Sequence, residues 1–302
     1  MTALPVGKIK RTFGFILNHP LGKRHPLKAF IRFLTWQAQS SMQPAKFIVK
    51  PYIAGINFYA RKGLTGITGN IYTGLHEFDD MAFLLHFLQP GDVFFDIGAN
   101  VGSYTLLASG VCNAKTFAIE ASANTAAITT KNISLNKLES KVTLINAAAG
   151  AKEGILTFSK NEDTTNHIIS ASESQATDVE TVNVISVDSI SLNDKPALIK
   201  IDVEGFETEV LKGMNDTLKP PTLKAIIIEL NGSGLRYGFN EDDIHKALLS
   251  VGFKPYQYDP FKRELNLMDS FGSYNTIYCR DVEFIKTRIK ASKGFKIMGE
   301  AI

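Results

Sequence analysis

Asp96-Ile97-Gly98-Ala99-Asn100-Val101-Gly102 closes the apolar run Val93–Ile97 (VFFDI) and opens a helical pattern over residues 104–109. A buried strand, a glycine turn and a helix in succession belong to ligand-binding α/β sheets. Gly98 lets the backbone approach a ligand closely, Gly102 lets helix and strand pack tightly, and Asn100 tolerates a left-handed backbone between them. The spacing is not the G-x-G-x-x-G of a dinucleotide phosphate loop, because position 100 is Asn. Asp96 ends the strand ahead of the glycines, where a carboxylate repels a pyrophosphate and attracts an ammonium group. These residues point to a ligand with an amino-acid head, such as S-adenosyl-L-methionine.

The alternation continues downstream. Residues 116–120 (TFAIE), 141–146 (KVTLIN), 198–203 (LIKIDV) and 225–230 (AIIIEL) read as strands buried on both faces, while 124–135, 207–218 and 242–251 carry helical apolar spacing. Residues 255–258 and 275–280 read as late strands forming an antiparallel hairpin at the sheet edge. The pattern predicts a doubly wound, mostly parallel α/β sheet starting near Gly91. Two regions interrupt it. Residues 1–75 offer a basic helix over 26–39, then Gly- and Thr-rich segments from 51 to 74 that read as a β-meander. Residues 151–196 form an insertion, with strands at 155–158 and 182–187 flanking the polar stretch 159–181, which reads as a lid over the acceptor. The expected organisation is a basic extension (1–75), a ligand-binding domain (76–285) and a tail (286–302).

Apolar residues make up 44% of the 302 and charged residues 21%, which excludes disorder and coiled coil. No apolar run approaches the ~20 residues of a membrane span, and the first residues lack a signal-peptide layout. Cys112 and Cys279 stand apart from each other and from any Cys or His partner, so neither a disulfide framework nor a metal knuckle is expected. A reducing cytoplasm follows as the expected compartment. The net charge of +3 conceals an asymmetry: residues 1–76 carry 11 basic and no acidic side chains, and the remainder carries 22 basic and 30 acidic. The basic arm points to an acidic partner, an anionic membrane surface at its inner face. Its helix has a competing reading, as one packed on the catalytic domain or at a dimer interface. Nucleic acid is not expected, since the acidic half lacks basic–aromatic interleaving.

DIGANVGSYTLLAS, FAIEASANTAAITTKNISLN, LIKIDVEGFETEVLKG and IIIELNG together resemble the FkbM-type methyltransferase family. The resemblance is strong over 91–230 and looser from NIYTGLHEFDDM to Tyr258. It implies a class I, Rossmann-like fold with a seven-stranded sheet and an antiparallel edge strand. It also implies S-adenosyl-L-methionine as cofactor and methyl transfer to a hydroxyl of a natural product or a surface-polysaccharide sugar. It places the Glu77 segment near the cofactor.

The cofactor candidates are therefore Glu77, Asp96, Gly98, Asn100, Gly102, Ser103, Glu120, Ala121, Asn146, Ala147 and Asp202. Glu120 ends its strand 24 residues after Asp96, where an acid accepts both hydroxyls of a ribose. Asn146 and Ala147 fall where an adenine edge would lie. The catalytic candidates are Asp202, Glu204 and His167, because alcohol methylation needs alignment and removal of one proton. Asp202 is equally readable as a proton acceptor, a positioning group or the partner of a buried Lys200, and Glu204 as a helix cap. Glu229 ends a strand at the same edge. No metal is expected from His/Cys spacing, although Asp202 with Glu204 or Glu229 has the donors for a hard cation. The acceptor is a small molecule or glycan, and an oligomer is compatible with the sequence. Competing functions are a nicotinamide-dependent oxidoreductase and a non-catalytic nucleoside-binding module.

Overall fold

Residues 6–159, 167–169 and 179–302 are described by the computed structural model. Three helices, α1 (Val6–Asn18), α2 (Pro20–Arg24) and α3 (Pro26–Met42), lead into the hairpin β1 (Ile48–Pro51) and β2 (Asn57–Ala60). Helices α4 (Thr65–Thr73) and α5 (Phe78–Phe87) follow. The meander expected over 51–74 is thus one short hairpin and a helix. Helix propensity in the Gly- and Thr-rich α4 is poor, but packing overrides it: Ile67 and Tyr72 are buried, and Tyr72 meets Phe33 of α3 edge-on at 5.4 Å.

The sheet begins with β3 (Val93–Ile97). Gly102 starts α6 (Ser103–Thr105), which runs on as a π-helical turn, Leu106–Val111. Next come β4 (Lys115–Ile119), α7 (Ala123–Leu135) and β5 (Val142–Ile145). The insertion supplies β6 (Ala148–Ala149), β7 (Gly154–Ser159) and β8 (Val179–Ile185), which form a separate three-stranded sheet in which β7 and β8 are antiparallel. Most of the polar stretch 159–181 lies outside the described residues. The chain returns through α8 (Val187–Ile190), β9 (Leu198–Ile201), α9 (Glu207–Lys212), β10 (Ala225–Glu229) and α10 (Glu241–Ser250). It ends in β11 (Lys254–Asp259), β12 (Glu264–Leu267), β13 (Asn275–Cys279) and α11 (Val282–Ala291).

The main sheet runs β12-β11-β13-β10-β9-β3-β4-β5. Its five strands from β10 to β5 are parallel, β13 is antiparallel to β10, and β11 and β12 continue antiparallel outward. Among the described residues it has eight strands, not the expected seven. The extra strand, β12, buries only Leu265, so its sequence carried little apolar signal. Both faces of the parallel part are covered, as near-continuous apolar strands require. Phe95, Ile97, Ile199, Ile201, Ile226 and Ile228 pack with Val210 of α9 and Leu248 of α10. On the other face Phe94, Leu198 and Ile227 share one apolar cluster with Ile16, Leu21, Phe33 and Trp36 of the N-terminal helices and Ile297 near the C-terminus. The carboxyl ends of β3, β4, β9 and β10 open at one edge, the place where such sheets bind ligands.

Candidate active site

The turn after β3 is built around a backbone that excludes side chains. Gly98 has φ +80°, and a Cβ there would lie 1.7 Å from the Asp202 carbonyl oxygen. The N–H groups of Gly98 and Ala99 both donate to Ile119 O at 2.9 Å, which fixes the turn against the end of β4. Asn100 adopts φ +50°; its N–H donates to Glu120 Oε2 at 2.8 Å and its Oδ1 accepts from Val101 N–H at 2.7 Å. At the start of α6, Ser103 Oγ accepts from Asn70 Nδ2 at 3.2 Å and donates to Gly66 O at 3.4 Å. These contacts shape one side of a cleft of about 410 Å³, within the range of small-molecule sites.

Glu120 is 8% exposed, and both its oxygens are held: Oε2 by Asn100 N–H, Oε1 by Ser122 N–H at 2.9 Å. Burial pushes its carboxyl up to about 7, against the opposing pull of those two N–H donors. Asn146 turns its amide back on the chain, donating to Glu120 O at 2.8 Å and Ala121 O at 3.0 Å, so it braces the β4–α7 loop. Ala121 and Ala147 line the cleft.

Asp96 is buried and accepts from Thr105 Oγ1 at 2.6 Å; burial raises it to about 6. It stands opposite Lys200 in the β3–β9 register. Lys200 is also buried, donates to Asp202 Oδ2 at 2.6 Å and lies 4.8 Å from the centre of the Tyr104 ring. Burial alone would lower its pKa, but Asp202, Glu77 and Asp96 hold it above the ordinary lysine value. Tyr104 in turn donates to Glu77 Oε2 at 2.6 Å, so Glu77 is engaged across the cleft and does not cap α5 with its side chain.

On the far side, Asp202, Glu204 and Glu229 each bring a carboxylate oxygen within 4.8 Å of the others. Glu204 sits at φ +56° and is raised to about 7 by burial and by Asp202. It does not cap the next helix, whose N-cap position, Phe206, has no side-chain cap bond; Glu207 instead holds the preceding turn, accepting from Val203 N–H at 3.1 Å and Gly205 N–H at 3.2 Å. Glu229 Oε2 is buried with no hydrogen-bond partner among the described residues. Burial, then the charges of Asp202 and Glu204, push its carboxyl up to about 9.

The cleft therefore gathers Glu77, Asp96, Gly98, Asn100, Ser103, Glu120, Ala121, Ala147, Asp202 and Glu204 from the candidates read in the sequence, together with Glu229. Gly102 and Asn146 support its walls without lining it. His167 is buried in the insertion, where its N–H donates to Ser159 Oγ at 3.0 Å and its neighbour Ile168 reaches the cleft. Tyr104 and His76 also line it. In the sequence His76 reads only as a helix cap with Glu77, and nothing marks Tyr104, because it acquires its role from a partner 27 residues away.

The strand order, the glycine turn and the acid-rimmed edge define a class I α/β methyltransferase fold. A sequence model of the methyltransferase FkbM domain matches residues 96–255, more than half of the chain, and the protein belongs to that family of S-adenosylmethionine-dependent methyltransferases. The chain is similar to the hexuronic acid methyltransferase AglP of Haloferax volcanii, with 26% identity over 172 residues, 57% of this chain and 67% of that protein. Among solved structures it is similar to precorrin-6y C5,15-methyltransferase from Geobacter metallireducens, at 15% identity and TM-score 0.39 over 68% of this chain and 88% of that one. It is also similar to TrmK of M. capricolum in complex with S-adenosyl-homocysteine, at 10% identity and TM-score 0.38 over 67% and 68%. Among the described residues no helix is long and apolar enough to cross a membrane.

Proposed function

We propose that the protein methylates a hydroxyl oxygen of a sugar within a glycan, with S-adenosyl-L-methionine seated along the carboxyl edge of β3, β4 and β9. Among the described residues, the cleft carries six acidic side chains, Glu77, Asp96, Glu120, Asp202, Glu204 and Glu229, against one buried cation, Lys200. That balance suits a ligand with an ammonium, a sulfonium and a ribose diol. When bound, the cofactor supplies an electrophilic methyl group, so the protein has to align a hydroxyl and accept one proton.

Glu120, already fixed by two backbone N–H groups, keeps its remaining lone pairs for the ribose hydroxyls. Asp96 and Glu77 face the methionine end. Asp202 is committed to Lys200 and acts as a positioning group beside the transferred methyl. Glu229 is the better proton acceptor, because its buried Oε2 has no competing donor among the described residues. Its raised pKa falls toward the working range when a cation enters the cleft. Glu204 lines the cleft on the acceptor side, and Ile168, next to His167, lines it from the insertion.

The unpartnered Glu229 oxygen among strand-end acids carries this reading, and the AglP likeness supports a sugar acceptor. Incubation with methyl-labelled S-adenosyl-L-methionine and a panel of neutral, amino and uronic sugars tests it. Label in an alkali-stable ether, with mass gain of one methylene unit, is the expected product. Label confined to a carboxyl ester or an amine would contradict O-methylation of a hydroxyl.

A further inference from the structure

We propose that the outer face of α3 docks on an anionic lipid surface. The helix buries Ala29, Phe33, Trp36 and Ser40 against the protein, so its opposite side should be polar. It is not. Leu27 is 77% exposed, Ile31 61%, Leu34 49% and Met42 74%, and their spacing sets them along one stripe. Lys28 and Arg32, one turn apart and both exposed, flank it. Lys10 and Arg11 of α1 and Lys23 of α2 are exposed as well. The segment up to His76 contains no acid, and among the described residues the carboxylate that ion-pairs with it from elsewhere is Glu300, which meets Arg24 and His25 at the end of α2.

The only charged residues of α3 are Lys28 and Arg32, both cations, and neutral Thr35, Ala38 and Ser41 are also exposed. An apolar stripe with cationic and no acidic neighbours on its helix is the composition of an interfacial helix, which buries apolar side chains at the acyl boundary and sets its cations among anionic headgroups. A second copy of the chain fits less well. A two-fold pair over Ile31 would bring Lys28 and Arg32 against their own images with no acid to offset them. The packing of α3 also ties the surface to the site: Phe33 and Gln37 contact Tyr72 of α4, and Gly66 of α4 lines the cleft.

Co-sedimentation of the full chain with phosphatidylglycerol–phosphatidylcholine vesicles, and with phosphatidylcholine vesicles alone, tests the proposal at low and high salt. Binding is expected only to the mixed vesicles, weakening with salt. Lys28→Glu/Arg32→Glu and Ile31→Asp/Leu34→Asp are each expected to weaken it by about tenfold or more. The positions are exposed, so both variants should keep wild-type cofactor affinity and unfolding temperature. Absence of binding by the wild-type chain would overturn the proposal, as would equal binding to both vesicles. So would a concentration-dependent dimer, by sedimentation equilibrium, that Ile31→Asp/Leu34→Asp abolishes.

Discussion

Glu120 and Glu229 end strands of the same sheet and face the same cleft, yet the chain prepares them in opposite ways. Glu120 is gripped by two backbone N–H groups, from Asn100 and Ser122. Among the described residues, Glu229 has a buried oxygen with no hydrogen-bond partner and two further acids within 4.8 Å. Under the proposed reading, the same residue type is fixed as an acceptor at one end of the cleft and, once a bound cation lowers its raised pKa, takes a proton at the other. Backbone donors make the first arrangement rigid, while crowding by like charge makes the second responsive to whatever cation arrives.

The sharpest way to break this contrast is Glu229→Gln, which keeps the shape and removes the charge. Methyl transfer should fall by about 10²–10⁴ with cofactor affinity changed little, since general-base catalysis typically supplies that factor. Single-turnover rates beside calorimetric affinity check it. A wild-type rate in this variant, with Asp202→Asn inactive, would return the proton to Asp202.

Lys200→Met probes what holds the acidic side together. Lys200 bonds Asp202 at 2.6 Å and stands opposite Asp96. Removing one partner of a buried pair leaves the other uncompensated, at about 3–5 kcal/mol. The lower end is expected, because the Asp202 side chain remains 25% exposed. Denaturant unfolding at neutral pH measures it, and a loss under about 1 kcal/mol would mean that the pair matters little to folding.

At the other end, Glu120→Ala removes the proposed ribose contacts, each charge-assisted bond contributing about 1.5–3 kcal/mol. Affinity for S-adenosyl-L-methionine should weaken at least about tenfold. Glu120→Gln, which keeps one acceptor oxygen, should lie between. Unchanged calorimetric affinity in a folded Glu120→Ala protein would remove Glu120 from the cofactor site.

Much of this contrast was legible in the sequence, and the unread part has a physical cause. VFFDI, TFAIE, LIKIDV and AIIIEL announce their burial on both faces, and each delivers its strand-end acid to the sheet edge without help from distant residues. Gly98 and Asn100 likewise carry their backbone requirement in their own chemistry. What the sequence could not convey was pairing between strands. The Lys200–Asp202 bond, between residues two apart on one strand, was one of the readings the sequence offered, but that Glu229 Oε2 finds no hydrogen-bond partner among the described residues depends on how the ends of β9 and β10 meet. Helix α4 was hidden for a related reason: its Gly and Thr argue against a helix, and only burial of Ile67 and Tyr72 under α3 makes one.

The smallest expected effect tests the mechanism behind the comparison most directly. Glu120 and Glu229 have folded-state pKa values raised from 4.5 to about 7 and about 9. Each therefore contributes stability that is complete below its unfolded value and is lost as pH rises through the folded one. The cofactor-free protein should become less stable from pH 7 towards pH 9. A bound cation acts in the opposite direction, favouring the ionised carboxyls, so its binding must release protons and tighten as pH rises. S-adenosyl-L-methionine and S-adenosylhomocysteine differ by the sulfonium charge, which makes the pair a titration of the cleft by one elementary charge. Near pH 8, calorimetry in buffers of different ionisation enthalpy should show the sulfonium ligand releasing more protons than the neutral thioether, by about half a proton. Glu229→Gln should abolish that difference, whereas Glu120→Gln should leave most of it, because Glu120 is already largely ionised at that pH. Equal release by the two ligands in the wild-type protein would mean that Glu229 does not sense the reacting centre, and its role as proton acceptor would fall with it.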